Sequence, residues 1–345
     1  MKKTKIICTL GPASDNEIIL SELIDAGMNV ARLNLSHGTH EDHAAKIAMI
    51  KKMREHKNIP LPIMLDTKGP EFRIKTFSNG KITLKDGDTF TFTTEDKIGD
   101  QNRVSVTFEG LCEQMLPGDK ILLNNGLMVF KVVRVEKPDV ICKTLIGGEL
   151  SNRKSMYFPD KALKMVYLSE RDKADIKFGV AQGVDCFALS FVSGAQDVVD
   201  VKNWLKKCGS PDGDIKLIAK IENREGVNNL KEILEISDGI IVARGDLGVE
   251  IPYEELPGIQ KKIVKTCRLH NKCSIIATEI LESMIKQPRP TRAEVSDAAN
   301  AVYDGTSALL LTGETAEGAH PVEAVKAMAK IMRQAEQDKL TFNFL

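Results

Sequence analysis

A cation and a carboxylate leave the same face of one apolar segment near the middle of this chain. The segment reads IKLIAKIENREG, and its stretch 215–221 has the length and β-branched content of a buried strand. Lys220 and Glu222 are two residues apart, so a strand would point both side chains the same way. Two dozen residues later, DGIIVARGDLGVE places Asp246 just after a second apolar strand. Consecutive parallel strands that end in acidic and basic groups are typical of a barrel active site.

Polar side chains also follow other apolar segments that read as strands. Arg32, Asn34 and Ser36 share one face of the segment MNVARLNLSHG at period two. Asp66 and Thr67 close the segment LPIMLDT. Further polar groups at predicted strand ends are Arg73, Thr278 and Thr312. Because the carboxyl ends of parallel strands meet at one rim of a barrel, we expect all these groups to form one site.

The residue types indicate what such a site would hold. Glu222 and Asp246 are carboxylates on neighbouring strand ends with no histidine or cysteine beside them. Mg²⁺ and Mn²⁺ prefer that arrangement, because they take oxygen ligands and keep several waters. Arg32, Arg73 and Lys220 have no obvious acidic partner nearby in the sequence. They suit a phosphoryl group in transit.

Two other ligands are predicted from the same rim. The backbone amides around Gly245 and Asp246, which open a new turn after an apolar strand, suit the carboxylate of a substrate. Oxygens of modest charge density suit a monovalent cation. The residues that could offer them are Asn34, Ser36, Asp66 and Thr67.

Short apolar segments alternate with amphipathic ones along most of the chain. The strand candidates are 4–9, 28–34, 61–66, 184–191, 215–221, 239–243, 274–278 and 307–312. The helix candidates are 16–26, 40–56, 169–182, 195–208, 226–237, 258–270, 292–304 and 321–337. Strand followed by helix eight times, with continuously apolar strands, predicts a parallel sheet covered on its outer face. A (β/α)₈ TIM barrel of the α/β class is the simplest such fold.

One stretch interrupts this alternation. From about 71 to 165 there is no clear helical period, and Thr, Val, Ile and Phe alternate with polar residues between turn sequences such as SNG, KDGD and NNG. That pattern predicts a small antiparallel β domain. Because it follows the third strand, we predict a barrel catalytic domain of 1–70 and 166–345 with a β-barrel-like lid domain of 71–165 over its carboxyl rim.

Composition disfavours several classes of function. Lys+Arg and Asp+Glu both number 48, so nucleic acid and anionic membranes are not favoured as general partners. The seven cysteines form no CxxC pair, and several lie in apolar segments, as in reduced cytoplasmic proteins. The apolar windows are too short for a membrane span, and the N-terminal one is too short for a signal peptide. We therefore expect a cytoplasmic protein that acts on small molecules.

Several segments closely resemble signature sequences of the pyruvate kinase family. They are TKIICTLGPAS, GMNVARLNLSHG, LDTKGPEFR, IAKIENREGV, VARGDLGVEIP and PRPTRAEVSDAANAV. The likeness runs in order from residue 4 to about 330 and is looser in the inserted stretch. It implies a (β/α)₈ barrel with a β-rich lid after the third strand. It also implies phosphoryl transfer from phosphoenolpyruvate to ADP, giving pyruvate and ATP, with Mg²⁺ (or Mn²⁺) and K⁺ as cofactors.

The resemblance also implies roles for individual residues. The catalytic residues would be Lys220, Arg32, Arg73 and Thr278, the last facing the enolate. The substrate-binding residues would be Ala243, Arg244, Gly245, Asp246 and Thr278. The nucleotide would lie near Pro12, Asn34, His37 and Arg73. The divalent ligands would be Glu222 and Asp246, and the potassium ligands Asn34, Ser36, Asp66 and Thr67. Glu71 goes with dependence on potassium in this family.

Some features depart from the family pattern. The lid carries Asn124-Asn125-Gly126 where Asp-Asp-Gly is usual, and its return strand reads RKSMYFPD rather than a sequence like KGVNLPG. The sequence ends at Leu345, so we expect catalysis without the usual C-terminal regulatory domain and any homo-oligomer to form through barrel faces. Two alternatives remain open: a paralogue with weak or no kinase activity that binds metabolites or regulates, and a metal-dependent lyase acting on pyruvate or another oxo acid.

Overall fold

Eight parallel strands close into a barrel. The computed structural model describes residues 3–211 and 213–342. Around the barrel the strand order is β1, β17, β16, β15, β14, β13, β3, β2. These strands are β1 (Lys5–Thr9), β2 (Val30–Asn34), β3 (Ile63–Asp66), β13 (Cys186–Leu189), β14 (Lys216–Ile221), β15 (Gly239–Ala243), β16 (Cys273–Ala277) and β17 (Ala308–Leu311). Each lies within a residue or two of one of the predicted strands, so the predicted (β/α)₈ barrel is confirmed.

Helices cover the outside of the barrel. They are α1 (Glu17–Ala26), α2 (His40–Lys57), α4 (Glu170–Ala181), α5 (Ala195–Lys207), α6 (Arg224–Asn228), α7 (Leu230–Ile236), α8 (Arg244–Glu250), α9 (Leu256–Leu269), α10 (Arg292–Asp304), α11 (Gly313–Ala316) and α12 (Pro321–Phe342). A 3₁₀ turn spans Glu282–Ile285. A capping box begins α10, since the Thr291 hydroxyl accepts from Glu294 N and the Glu294 side chain accepts from Thr291 N. Among the described residues no helix is both long and apolar enough to cross a bilayer.

Two helical predictions were incomplete. The single helix expected over 226–237 is divided at Asn229, whose side chain donates to Ser193 O instead of continuing a regular exposed face. The segment after β15 was expected to be a turn, but it folds as the short helix α8. Helices of one or two turns rarely show a period that a sequence pattern can reveal.

Along β14, successive side chains point alternately into the barrel interior and into the outer core between strands and helices. Ile218 belongs to the interior apolar cluster, whereas Leu217 and Ala219 belong to the cluster between the strands and the helices. Continuing the interior face of β14 toward its carboxyl end gives Lys220 and then Glu222. Apolar side chains therefore fill the lower barrel, and the polar groups gather where the strands end.

A β-rich segment is inserted between β3 and β13. Its strands are β4 (Phe72–Arg73), β5 (Lys81–Leu84), β6 (Thr89–Thr93), β7 (Arg103–Ser105), β8 (Lys120–Leu123), β9 (Met128–Glu136), β10 (Asp139–Ile146), β11 (Gly148–Ser151) and β12 (Ser155–Tyr157). We call residues 72–157 the inserted segment. It forms a seven-stranded sheet, a two-stranded sheet and an apolar core of its own. It also contains one turn of helix, α3 (Leu111–Gln114), which is too short to show a helical period in the sequence.

Candidate active site

Asp66 joins two cations at the carboxyl rim of the barrel. Its Oδ2 lies 2.8 Å from Arg32 Nε, and its Oδ1 lies 3.1 Å from Lys220 Nζ. The side chains of Asp66, Arg32 and Lys220 are 2%, 9% and 12% exposed. Arg32 also donates to Thr9 Oγ1 at 2.7 Å, which fixes its guanidinium against β1. Three strands thus hold one buried cluster of charges.

Ser190 and Phe191 complete the cluster from the end of β13. Ser190 Oγ lies within hydrogen-bonding distance of Asp66 Oδ1 and accepts from Lys220 Nζ at 2.8 Å. Phe191 N donates to Glu222 Oε2 at 2.6 Å. Phe191 holds this position with φ of +57°, a conformation that costs free energy in a non-glycine residue. The backbone at the end of β13 is therefore shaped to present an amide to Glu222.

Burial and neighbouring charges pull the pKa values of this cluster apart. Burial alone would raise the pKa of Asp66, but Arg32 and Lys220 outweigh it and lower that pKa. Burial would lower the pKa of Lys220, but Asp66 and Glu222 raise it instead, so Lys220 is a cation at neutral pH. Burial, assisted by Asp246 and Asp66, raises the pKa of Glu222 to about 7 despite the Lys220 ammonium. Of the two carboxylates in this cluster, Glu222 is thus the one whose ionised form a further positive charge would stabilise more.

Thr278 is held in a strained conformation at the end of β16. Its φ is +68°, which is rare for a β-branched residue. Its hydroxyl donates to Ala277 O at 2.5 Å and accepts from Gly245 N at 2.7 Å. The Arg244 guanidinium donates to Thr278 O and Glu279 O, both at 2.8 Å, and pairs with Asp297. Arg244 therefore secures this loop through its side chain.

Lys220 and Arg73 each pair with an acidic residue two positions away in the sequence, so the expectation that they have no such partner was wrong. The Nη2 of Arg73 lies 2.6 Å from Glu71 Oε1, and Ser155 Oγ donates to the same oxygen at 2.6 Å. Glu71 directly precedes β4 and Arg73 is its last residue, and a two-residue spacing in extended chain puts both side chains on one face. The Arg73 side chain is 36% exposed and that of Glu71 13%, and both still face the site.

The last residue of the inserted segment and the residues just after it contact the barrel beside Asp246. Tyr157 donates its hydroxyl to Asp246 Oδ1 at 2.9 Å, and Phe158 N donates to Glu250 Oε1 at 3.1 Å. Burial, together with Asp246, raises the pKa of Tyr157, so the phenol stays protonated and acts as the donor. A third contact joins Arg224 Nε to Asp160 Oδ1 at 3.2 Å. We call this line of contacts the seam.

A polar cavity of about 260 Å³ opens at this rim. The predicted site residues that line it are Arg32, Asn34, Ser36, His37, Asp66, Glu71, Arg73, Lys220, Glu222, Ala243, Asp246, Thr278 and Thr312. The small side chains of Ala243 and Ala277 leave the space above the apolar interior. Four predicted residues do not line it. They are Pro12, Thr67, Arg244 and Gly245.

Those four residues have other surroundings. Pro12 is exposed in the turn after β1. Thr67 is buried, and its Oγ1 accepts from Ser190 N at 3.2 Å. Gly245 N is occupied by Thr278 Oγ1, and Arg244 points toward Asp297.

The donor set fits a hard divalent cation. Glu222 Oε1 is buried without a hydrogen-bond donor, although Lys220 Nζ lies 3.0 Å away as an ion pair. Asp246 lines the same cavity, and among the described residues the one side-chain hydrogen bond to its carboxylate comes from Tyr157, to Oδ1. No group of three or more His, Cys, Asp and Glu side chains converges on a metal position within 3–211 and 213–342. Two carboxylates, completed by water and substrate oxygens, is the pattern Mg²⁺ favours over an all-protein cage.

Comparison with known proteins agrees with this geometry. A family model described as "Pyruvate kinase, barrel domain" matches residues 1–325. The chain belongs to the pyruvate kinase family. A protein named pyruvate kinase from Clostridium perfringens is 46% identical over 346 residues, covering 100% of this chain and 72% of its own length. One of the same name from Geobacillus stearothermophilus is 47% identical over 338 residues, covering 97% of this chain and 57% of its own length. The chain thus spans only part of the length of these pyruvate kinases.

Sequence reasoning missed three residues of the site in this pyruvate kinase family member. Ser190 could have been found, because it continues the interior face of the predicted strand 184–191 two residues after Ala188. Phe191 acts through its backbone amide, which the residue type does not reveal. Tyr157 reaches the site through the seam between segments distant in sequence.

The turn that departs from the pyruvate kinase pattern lies against the barrel. Asn124 and Asn125 both take left-handed backbone conformations, with φ of +53° and +55°, which asparagine tolerates. A Cβ at Gly126 would lie 3.4 Å from Val249 Cγ1 of α8, so the tip of this turn approaches the helix that carries Asp246. Two amides replace two carboxylates there, and the turn adds no formal negative charge.

Replacing Glu250 by glutamine should stabilise the protein at high pH only. Burial raises the pKa of Glu250 to about 7, against 4.5 when exposed, so the folded state binds its proton more tightly than the unfolded state. The stability that this proton confers is present below pH 4.5 and is lost as the pH rises through 7. Because Glu250 is only half-buried, solvent screening reduces the effect. We expect Glu250→Gln to raise the free energy of unfolding by about 1 to 2 kcal/mol at pH 8 and by nearly nothing at pH 5. Urea unfolding at both pH values measures this, and an equal gain at both would contradict it.

Proposed function

We propose that this chain transfers the phosphoryl group of phosphoenolpyruvate to ADP, giving pyruvate and ATP. The observation that carries the proposal is the cluster at the barrel rim, where Arg32, Lys220, Asp66 and Glu222 meet beside Asp246 around one polar cavity. Two buried cations next to the carboxylates of Glu222 and Asp246 can accommodate a phosphate and a divalent ion together. The relatives from Clostridium perfringens and Geobacillus stearothermophilus, both named pyruvate kinase, support the same reaction.

Lys220 and Arg32 act on the phosphoryl group. In the reaction an oxygen of the ADP β-phosphate attacks phosphorus while the bond from phosphorus to the enol oxygen breaks, and a proton then adds to C3 of the enolate. Both cations are fixed by Asp66, so little reorganisation is needed when charge spreads over the transferring oxygens. Arg73, at the edge of the cavity, contacts the phosphates from the side of the inserted segment.

Thr278 and the turn from Ala243 to Asp246 hold the rest of the substrate. The amide of Gly245 donates a hydrogen bond to Thr278 Oγ1. When a substrate carboxylate accepts from this amide instead, the Thr278 hydroxyl becomes available to face C3 of the enolate. The Arg244 side chain contributes by clamping the Thr278 loop rather than by touching the substrate.

Two cations complete the site. Glu222 and Asp246 hold Mg²⁺ or Mn²⁺, which supplies charge neutralisation for the phosphoryl oxygens and the enolate when bound. Asn34, Ser36 and Asp66 offer oxygens to K⁺ in the cavity, and Thr67 does so from its buried position beside Ser190. Glu71, paired with Arg73, goes with this dependence on potassium.

We infer a domain division and a nucleotide position from the same arrangement. Residues 1–70 and 166–345 form the catalytic barrel, and 71–165 form a lid that closes the site against water, which would otherwise accept the phosphoryl group. ADP lies between them, near Asn34, His37 and Arg73, with Pro12 farther out. A cytoplasmic location and assembly through barrel faces remain predictions.

A coupled assay with phosphoenolpyruvate and ADP, run with and without K⁺ and Mg²⁺, tests the proposal. We expect turnover that needs both cations. Absence of turnover with both cations present would contradict the proposal and favour a paralogue that only binds metabolites. Metal-dependent exchange of the methyl protons of pyruvate, with no phosphoryl transfer, would favour a lyase that works on an enolate.

A further inference from the structure

Strand β12 of the inserted segment contacts two parts of the site. Ser155 and Tyr157 are two residues apart, so their side chains leave the same face of the strand. Ser155 Oγ donates to the Glu71 oxygen that also pairs with Arg73. Tyr157 donates to Asp246 Oδ1 at 2.9 Å. One face of one strand therefore contacts both a cation proposed to bind phosphate and a carboxylate proposed to bind metal.

The Tyr157 hydroxyl is firmly placed. Tyr157 is 6% exposed as a residue, and β12 pairs with β8 through Tyr157 opposite Leu122 and Met156 opposite Leu123. In the part of the chain that the structure describes, Tyr157 supplies the only side-chain hydrogen bond to the Asp246 carboxylate. This bond engages Oδ1, limits rotation of the carboxylate and leaves Oδ2 available.

We propose that Tyr157 is a positioning residue for the divalent cation, because its hydroxyl orients the Asp246 carboxylate across the seam. The inference rests on the proposed function, which makes Asp246 a metal ligand. It adds that cation affinity depends on the inserted segment, since any movement of β12 away from α8 breaks the bond. Tyr157 lies in RKSMYFPD, where this chain departs from the family pattern, so the hydrogen bond from Tyr157 to Asp246 is a feature of this chain.

Direct Mn²⁺ titration of the protein without substrate or nucleotide, followed by the electron paramagnetic resonance of free Mn²⁺, tests the inference. Hydrogen-bond partners of metal ligands typically alter metal affinity by 10 to 100-fold, so we expect Tyr157→Phe to weaken Mn²⁺ binding by about 10-fold. Tyr303→Phe is the matched control, because it removes another tyrosine–aspartate hydrogen bond, to Asp338, between the outer helices α10 and α12. It should bind Mn²⁺ like the unaltered protein.

Glu222→Gln separates failure of this inference from failure of the proposed function. If Glu222→Gln loses Mn²⁺ binding while Tyr157→Phe keeps it, the metal site stands and the role of Tyr157 is wrong. If Glu222→Gln binds Mn²⁺ as the unaltered protein does, the proposed metal site itself is wrong.

Two analogues of equal size at position 157 distinguish a hydrogen bond from simple packing. 4-Aminophenylalanine keeps a donor and should retain Mn²⁺ affinity, whereas 4-methylphenylalanine should lose about 10-fold, as for Tyr157→Phe. This pair also serves if Tyr157→Phe is too unstable to titrate. Equal affinity for the two analogues would overturn the inference.

Discussion

Replacing Lys220 by methionine is expected to lower the kcat for phosphoryl transfer from phosphoenolpyruvate to ADP by about 10³-fold or more. Lys220 is the buried ammonium that Asp66, Glu222 and Ser190 hold at the cavity wall. Methionine fills a similar volume and carries no charge, so the transferring oxygens lose a fixed cation. The KM for phosphoenolpyruvate should change much less, because the carboxylate-binding turn is left in place.

Lys216→Met is the matched control for that variant. Lys216 lies on the same strand at its opposite end, where its ammonium pairs with Asp238 at 3.2 Å in a largely exposed position. We expect turnover close to that of the unaltered protein. Both variants are measured in the coupled assay after circular dichroism has shown that they fold. Turnover of Lys220→Met near that of Lys216→Met would remove Lys220 from the mechanism.

Replacing Asp66 by asparagine should destabilise the fold by about 3 to 5 kcal/mol, because it leaves two buried cations without their shared counter-ion. Asp66 lies within 2.8 Å of Arg32 Nε and 3.1 Å of Lys220 Nζ. Its pKa is lowered in the folded state, so its contribution is present above the pKa of an unfolded aspartate, about 3.9, and is lost as the pH falls below it. The difference in free energy of unfolding between the unaltered protein and Asp66→Asn should therefore be largest at pH 7 and shrink toward pH 3.

Asp25→Asn provides the comparison for an exposed ion pair. Asp25 Oδ1 lies 2.6 Å from Lys57 Nζ, but the Asp25 side chain is 66% exposed. Its replacement should cost between about 0 and 1 kcal/mol in the free energy of unfolding measured with urea. If Asp66→Asn lowers the free energy of unfolding no more than Asp25→Asn does, the charge cluster does not contribute to stability as described.

The barrel could be predicted because its signals are local and repeated. Continuously apolar strands such as 239–243 can be buried only in a covered parallel sheet, and the structure buries all five of those residues. The placement of Lys220 and Glu222 on one face followed from strand geometry alone. Their meeting with Arg32 and Asp66 followed from the rule that parallel strands in a barrel share one rim.

What escaped prediction depends on contacts between distant segments. Tyr157 reaches Asp246 only because β12 returns along the seam, and nothing near residue 157 indicates this. The positive φ values of Phe191 and Thr278 are imposed by their surroundings against the preference of the residues themselves. The pairing of Arg73 with Glu71 was local and was overlooked, because the short strand β4 shows no period.

Anomalous diffraction from crystals grown with Mn²⁺ would show directly where the divalent cation binds. We expect one Mn²⁺ peak in the rim cavity, bound by the carboxylates of Glu222 and Asp246 beside the Lys220 ammonium. Mn²⁺ bound elsewhere, with Glu222 still paired to Lys220 and no peak at the rim, would contradict this expectation.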